Sequence, residues 1–147
     1  MKRIIIYCLI LGLILLIPVE RLDVGDLEPV QAVWVHREQG NILLETDTEG
    51  RGRGATLQEA LSDLENNCLK IIYLDTAQFL LVSEQTQSQI PELKELLKGS
   101  VKVCLWDGNG SVADAAQYLS AHEIGIKIRL WKPEVKLPNL QLENKAK

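Results

Sequence analysis

The residues best suited to chemistry form a short run of alternating glycine and arginine, Gly50-Arg51-Gly52-Arg53-Gly54. A glycine-rich turn between a strand and a helix cradles phosphate groups, because its backbone amides approach the ligand closely. Ala55 makes the match to Gly-x-Gly-x-x-Gly incomplete, and no Gly-Lys-Ser/Thr follows. The pattern favours a mobile loop whose arginines contact an acidic partner or lipid headgroups. Binding of a phosphate or another small ligand by this loop is the alternative.

Polar residues elsewhere do not form a recognised catalytic or metal-binding pattern. The two histidines, His36 and His122, have no histidine, cysteine or carboxylate partner at a ligand spacing, which predicts surface or turn positions for both. Carboxylate and hydroxyl groups lie where apolar runs end, but nothing pairs a nucleophile with a base. These groups belong to Asp75, Ser83, Glu84 and Asp107. We therefore expect a protein that is not an enzyme, with no cofactor and no bound metal.

Composition narrows the class of protein further. The chain has 147 residues and a net charge of −4, whereas nucleic-acid-binding proteins normally carry a basic patch, so no nucleic acid is expected among the partners. Hydrophobic residues make up 46% of the chain, which is enough for a packed core. Cys8, Cys68 and Cys104 lie in or beside apolar segments, which predicts buried thiols. A Cys68–Cys104 disulfide is the alternative for a protein outside the cytoplasm.

The N-terminus has the pattern of a membrane-targeting segment. Lys2 and Arg3 precede an uncharged apolar run from Ile4 to Ile17, and this order favours a cytoplasmic N-terminus with export of the rest. The run is shorter than the about 20 residues of a full span, and no pair of small residues follows it as signal peptidase would require. Residues 1–19 are therefore predicted to be a retained signal-anchor, which attaches the protein to the membrane through residues 4–17. Cleavage, which would give a secreted soluble domain, is the alternative.

Residues 20–29 are predicted to be a polar linker, and residues 30–131 one globular domain. Its clearest helix spans Leu57–Asn67, because Thr56 and Glu59 form a capping box ahead of a segment whose apolar residues share one face. Similar patterns predict helices at Ile90–Leu97 and from Ser111 to about Ala121. Strands are predicted at Val30–His36, Ile42–Thr46, Lys70–Leu74, Gln78–Ser83, Val101–Leu105 and Gly125–Leu130.

Some of these strands are joined too tightly for a parallel crossover. The predicted fold class is therefore α/β (α+β), a mixed sheet of about six strands with three helices packed on it, preceded by the N-terminal membrane segment. Strands Lys70–Leu74 and Gln78–Ser83 are almost continuously apolar, which predicts burial on both faces. The tryptophans lie near predicted strand ends, which predicts either that they pack at the edge of the core or that they contact a partner. They are Trp34, Trp106 and Trp131.

The C-terminal part of the chain contains the second pair of candidate contact residues. In Gly125–Leu130, apolar residues alternate with Lys127 and Arg129, which predicts a half-exposed strand at the edge of the sheet. Such an edge can bind a partner by strand addition. Residues 132–147 contain two prolines and no aromatic residue, and are predicted to be a flexible tail.

Three segments together carry a family resemblance. They are Gly-Arg-Gly-Ala-Thr-Leu-Gln-Glu-Ala-Leu-Ser-Asp-Leu from Gly52 to Leu64, Lys-Ile-Ile-Tyr-Leu-Asp from Lys70, and Gln-Phe-Leu-Leu-Val-Ser-Glu from Gln78. With the N-terminal export signal, this arrangement resembles the N-terminal domain of the spore germinant-receptor C-subunit family (Ger(x)C type) over roughly residues 30–130. Family members usually carry a lipid-modified cysteine directly after the apolar run and further domains. Here Cys8 lies inside the run, and the chain is shorter.

The resemblance implies a membrane-attached, non-enzymatic component of a sporulating Gram-positive bacterium that acts by protein contact in sporulation or germination. We accordingly expect a scaffold or adaptor at the cell or spore membrane, with its domain on the extracytoplasmic side. Its partners would be membrane proteins similar to germinant-receptor subunits. The expected contact residues are Arg51, Arg53, Lys127 and Arg129, in the Gly50–Gly54 loop and on the edge strand.

Overall fold

The computed structural model describes residues 1–16 and 24–142. The N-terminal apolar run forms helix α1, Lys2–Leu15, and none of its fourteen residues is buried. None of the described helices combines the length and the apolar character that a membrane span requires. The end of the predicted membrane segment and the first part of the predicted linker, residues 17–23, lie outside the described residues.

The rest of the described chain forms nine strands and three further helices. The strands are β1 (Leu27–Pro29), β2 (Ala32–Glu38), β3 (Asn41–Thr46), β4 (Arg51–Gly54), β5 (Ile71–Tyr73), β6 (Phe79–Val82), β7 (Lys102–Trp106), β8 (Ile126–Lys127) and β9 (Asn139–Leu140). The helices are α2 (Leu57–Asn67), α3 (Ile90–Leu96) and α4 (Val112–His122). Seven strands form one main sheet in the order β4-β3-β2-β6-β7-β8, with β9 also paired to β7. The predicted mixed sheet with packed helices is therefore confirmed.

Strands β2 and β3 form the predicted hairpin. Gln39 and Gly40 connect them with φ angles of 50° and 81°. Two successive positive φ angles are what a two-residue hairpin turn needs to match the twist of its strands. The antiparallel register then runs from Glu38 opposite Asn41 to Val33 opposite Thr46.

The centre of the main sheet is parallel and is covered on both faces. Strand β6 lies between β2 and β7 and runs parallel to both, and all four of its residues are buried. Leu80 and Val82 join the core that includes residues of α2 and α3, whereas Phe79 and Leu81 join the core under α4. Cover on both faces explains why this strand is continuously apolar.

The helix caps follow the sequence pattern closely. Thr56 Oγ1 accepts a hydrogen bond from the Glu59 amide at 3.2 Å, and α2 has the predicted bounds. The Glu59 carboxylate accepts from the Ala55 amide and not from the Thr56 amide, which a capping box would use. Ser111 caps α4 in the same way through the Asp114 amide. These caps satisfy amides that the first turn of a helix leaves unpaired.

The predicted burial of strand Lys70–Leu74 on both of its faces was wrong. β5 leaves the main sheet and pairs in parallel with β1 as a separate two-stranded sheet. Strand β2 occupies the position beside β6, and a 3₁₀ turn at Leu74–Thr76 separates β5 from β6. Ile71 and Tyr73 are consequently exposed rather than buried.

The predicted C-terminal edge strand does lie at the edge of the main sheet, but two predictions for this part of the chain were wrong in extent. Only Ile126 and Lys127 of the predicted edge strand are in a strand, and Ile128–Leu130 forms a 3₁₀ turn in which Ile128 is buried and Leu130 is exposed. The predicted flexible tail packs onto the domain through residue 142. Leu140 is buried, and the Leu105 amide donates to the Pro138 carbonyl at 2.8 Å. Residues 143–147 lie outside the described residues.

The cysteines differ in environment. Cys104 is fully buried beneath α4, and burial raises the pKa of its thiol to about 12. Cys68 follows α2 and packs beside the core on the other face of the sheet, where partial burial, with a smaller effect of Glu28, raises its pKa. Cys8 is exposed on α1, contrary to the predicted burial, and all three thiols are free. Because Cys68 and Cys104 lie on opposite faces, the alternative disulfide does not fit this fold.

Candidate functional site

The glycine-arginine run forms strand β4 and is not a loop. The prediction of a mobile loop is wrong, because Gly52 and Gly54 pair with Leu44 and Ile42 of β3, whereas phosphate binding by this segment stays a prediction. Helix α2 packs closely against this strand. A Cβ atom added to Gly52 would lie 2.1 Å from the Ala60 carbonyl oxygen. The glycines are therefore needed for close packing of helix and strand.

Helix α2 also closes the outer edge of β4. Asp63 Oδ2 accepts a hydrogen bond from the Arg53 amide at 2.9 Å, and Asn67 Nδ2 donates to the Arg51 carbonyl oxygen at 3.4 Å. Unpaired amides and carbonyls at a sheet edge are what a partner strand binds. Because α2 side chains contact them here, β4 offers little for strand addition.

The two arginines extend from the opposite side of β4. In register across the sheet, Arg51 pairs with Glu45 and Glu45 with Trp34, while Arg53 pairs with Leu43 and Leu43 with His36. Paired residues of neighbouring strands share a face. We call this surface the open face, defined by Trp34, His36, Leu43, Glu45, Arg51 and Arg53. All six are exposed or half-buried, whereas residues of β6 and β7 on the same face are covered by α4.

Charge on the open face is partly compensated by Glu45. Its Oε1 lies 3.5 Å from His36 Nε2 and 3.9 Å from Arg51 Nε. The Arg51 side chain is 78% exposed, so solvent weakens its ion pair. Arg53 donates to Gln39 Oε1 at 3.4 Å. The guanidinium groups thus lie at the rim of a surface whose central strand contributes Leu43 and Glu45.

Aromatic rings connect the open face to a cleft. Trp34 stacks on His36 with ring centroids 3.8 Å apart, and lies 4.7 Å from Trp106 at an angle of 59°. A Cβ added to Gly108 would meet the Trp34 ring at 2.5 Å, and Gly108 has a φ of 88°. Glycine at this position lets the loop after β7 approach the indole closely.

The cleft has a volume of about 410 Å³ and lies at the carboxyl ends of β2, β6 and β7, the usual place for binding in a parallel sheet. Its walls include His36, Ser83, Glu84 and Asp107, so the structure brings together polar residues that were predicted separately at strand ends. Asp75 lies elsewhere, in the turn after β5. Both oxygens of Asp107 accept from Asn109, at 3.3 and 2.9 Å.

Three ring nitrogens beside this cleft are buried without a hydrogen-bond partner among the described residues. They are Trp34 Nε1, Trp106 Nε1 and His36 Nε2. A buried polar group without a hydrogen-bond partner costs free energy and is uncommon in folded proteins. The grouping of three such nitrogens at one cleft therefore marks it as a candidate site. No group of three side chains that could hold a metal occurs within the described residues.

The other two predicted contact residues lie far from these. Lys127 is on β8 at the opposite end of the main sheet, with β3, β2, β6 and β7 between it and β4. Arg129 follows in the 3₁₀ turn, where its carbonyl oxygen accepts from Lys94 Nζ at 3.3 Å. The predicted contact residues therefore form two separate surfaces.

The sequence predicts the arginines as contact residues but not the neighbours that the structure places beside them. The surface position predicted for His36 misses its half-burial against Trp34, whereas His122 is exposed and stacks on Tyr118 at 4.0 Å, as a surface position requires. Trp34 and His36 are two residues apart on one strand, so the period of two places them on one face. Their meeting with Glu45 and Arg51 depends on strand register, which the hairpin turn fixes.

Comparison of the chain with models of protein families, with curated proteins and with solved structures finds no match.

Proposed function

We propose that this chain is a membrane-attached adaptor: α1 holds it at a lipid surface, and the open face binds a protein partner. The observation that carries the proposal is the exposure of α1. Ile4, Leu9 and Leu13 are 67%, 63% and 64% exposed, and apolar residues lie on all sides of the helix. A helix that is apolar all round requires burial, and the domain does not provide it. A bilayer does.

The order of charge supports an extracytoplasmic location for the domain. Lys2 and Arg3 are the only charged residues in the α1 segment, and basic residues ahead of an apolar segment favour retention of that end in the cytoplasm. The partner we propose is a membrane protein similar to a germinant-receptor subunit, in keeping with the resemblance over residues 30–130. Attachment to the same membrane would raise the effective concentration of each for the other.

The composition of the open face supports contact with a protein. Arginine and tryptophan are enriched at the residues that dominate binding energy, and interfaces combine an apolar centre with a polar rim. Here Leu43 lies on the central strand opposite His36, Trp34 stacks on His36, and the arginines are at the rim.

The attachment is tested by flotation of the full chain with phosphatidylcholine vesicles. We expect the unmodified chain to float with the lipid and the Ile6→Asp/Ile10→Asp variant to remain in the dense fraction, because each aspartate in the apolar segment costs about 3 kcal/mol. Leu130→Asp is the matched control, since Leu130 is 60% exposed on the domain, and it should float. Recovery of the unmodified chain free of lipid would contradict the proposal.

The contact surface is tested by photo-crosslinking in the cells that make the protein. A benzophenone side chain in place of Leu43 should give an adduct with a membrane protein. Arg51→Glu with Arg53→Glu should abolish it, because like charges across an interface cost several kcal/mol, about a thousandfold in affinity. Lys127→Glu with Arg129→Glu makes the same change in charge at the other end of the sheet and should leave the adduct intact. The reverse pattern would place the contact at β8.

A further inference from the structure

We infer that the outward face of the small β1–β5 sheet is a second membrane-contact surface, on which the domain rests against the lipid. This inference rests on the proposed attachment through α1. The surface, called here the apolar patch, consists of half-buried Leu27 and of Pro29, Ile71 and Tyr73 on the two strands, with Leu69 just before β5. Leu69 is fully exposed, and Ile71 and Tyr73 are 51% and 39% exposed. Large apolar side chains grouped on a surface mark an interaction site.

The register of the two strands explains why one face is apolar. Leu27 pairs with Ile71 and Pro29 with Tyr73 in the parallel ladder, and paired residues lie on the same side of a sheet. The residue between the two on β5, Ile72, points inward and packs against the main core. Alternation therefore places the remaining apolar residues of both strands outward. A strand with apolar residues on both faces needs a cover on both, and here the domain covers only one.

Continuity with α1 identifies lipid as the cover. Leu16 and Val24 are eight residues apart in the chain, so they are separated by at most about 29 Å. The segment described after Val24 leads directly into β1. If α1 is in the membrane, the first part of the domain to leave the lipid is the strand that forms half of the apolar patch. This places β1 close along the chain to the membrane, and the β1–β5 pairing brings Ile71 and Tyr73 beside it.

The side chains of the patch suit the boundary between lipid and water. Tyrosine is enriched there because its ring is apolar and its hydroxyl is polar. Lys70 lies between Leu69 and Ile71 and is exposed; its long apolar stem can lie along the lipid while the ammonium group stays in water. Glu28 is on the inner side of the alternation, paired with Ile72. The contact is therefore apolar in nature and does not require an anionic lipid.

The test uses the full chain with an environment-sensitive fluorophore at Ile71→Cys, in a background with Cys8→Ser and Cys68→Ser. Cys104 is fully buried and is left in place. The matched control carries the label at Gln117→Cys, an exposed position on α4 across the main sheet from the patch. Both are mixed with phosphatidylcholine vesicles that contain a quencher close to the headgroup, and flotation is measured in parallel.

We expect the label at position 71 to shift to the blue and lose fluorescence to the quencher, and the label at 117 to change little. Flotation without quenching at 71 would overturn the inference and leave the proposed attachment standing. Failure of both labelled chains to float would overturn the attachment and the inference together. A label at 71 that is already in an apolar environment without vesicles would also overturn it, because protein would then cover the patch.

Discussion

The two ends of the main sheet are closed by different means. At one end, helix α2 lies against β4, reaches it closely through Gly52 and Gly54, and contacts its outer amide and carbonyl groups with Asp63 and Asn67. At the other end, two short strands share the outer side of β7. β8 pairs with Lys102 and Val103, and β9 pairs with Leu105 and Trp106. Both solutions protect an edge from other chains.

The two edges differ in the number of residues between the edge strand and the segment that covers it. Strand β4 and helix α2 are consecutive elements joined by a short turn, so one local segment supplies both the edge and its cover. The cover of β7 comes from a strand after α4 and from the segment near the C-terminus. Local covers form early and at low entropic cost, whereas a cover from a distant segment requires closure of a longer loop.

Replacement of Gly52 by valine is the strongest test of the local end. The added Cβ would lie 2.1 Å from the Ala60 carbonyl oxygen and 2.6 Å from Leu64 Cβ. Because these belong to the backbone and inner face of α2, the helix must move away from the sheet. We expect a loss of about 3 kcal/mol or more in the free energy of unfolding, at the upper end of overpacking effects, measured by urea denaturation.

Arg51→Val is the matched control in the same strand. Its side chain points to the open face and is 78% exposed, so the change should stay within about 0.5 kcal/mol, as for other surface substitutions. Equal losses for the two variants would show that β4 does not present its glycines to α2. That result would also reopen the interpretation of the run as a loop.

At the β4 end of the sheet, the sequence predicts helix α2 correctly, but it predicts a loop where strand β4 lies. Thr56 and Glu59 fix the start of α2 through contacts within one turn, so the pattern alone is sufficient. Glycine weakens the strand pattern of Arg51–Gly54, and glycine-rich runs usually indicate loops. Only the packing of α2 on Gly52, a tertiary contact, explains why the run is extended.

The distant end is less accessible to sequence reasoning. Ile126, Ile128 and Leu130 alternate as in a strand, but the chain turns at Ile128 to bury it, and Leu130 is exposed. Leu137 and Leu140 lie among prolines and charged residues, which weakens any periodic signal, although both are buried. Their cover of β7 depends on which distant strand they meet, and the local pattern of residues does not indicate that partner.

In the candidate site too, local patterns predict some features and only tertiary contacts explain the others. Arg51 and Arg53 were identified from their type and spacing, and their exposure is as expected of contact residues. The combination with Trp34 and His36 arises from the register of three strands. Lys127 and Arg129 were predicted on similar grounds, yet the strand order places them at the other end of the sheet. Residue type thus indicates a candidate, and topology decides which candidates act together.

Truncation of Leu140 to alanine tests the distant end. Leu140 is 1% exposed and packs in the core beneath α4 with Trp106. A buried leucine truncated to alanine costs about 2–5 kcal/mol, and we expect the lower part of this range because the two-residue strand β9 can relax around the cavity. The effect should therefore be smaller than that of Gly52→Val.

Leu130→Ala, at a 60% exposed position, is the matched control and should change the free energy of unfolding by less than about 0.5 kcal/mol. Urea denaturation of both variants makes the measurement. If Leu140→Ala were as mild as Leu130→Ala, residues 132–142 would behave as the flexible tail that the sequence pattern predicts, and β7 would have an open edge. A loss of unfolding free energy as large as that of Gly52→Val would instead mean that the last described residues contribute to the core as directly as α2 does.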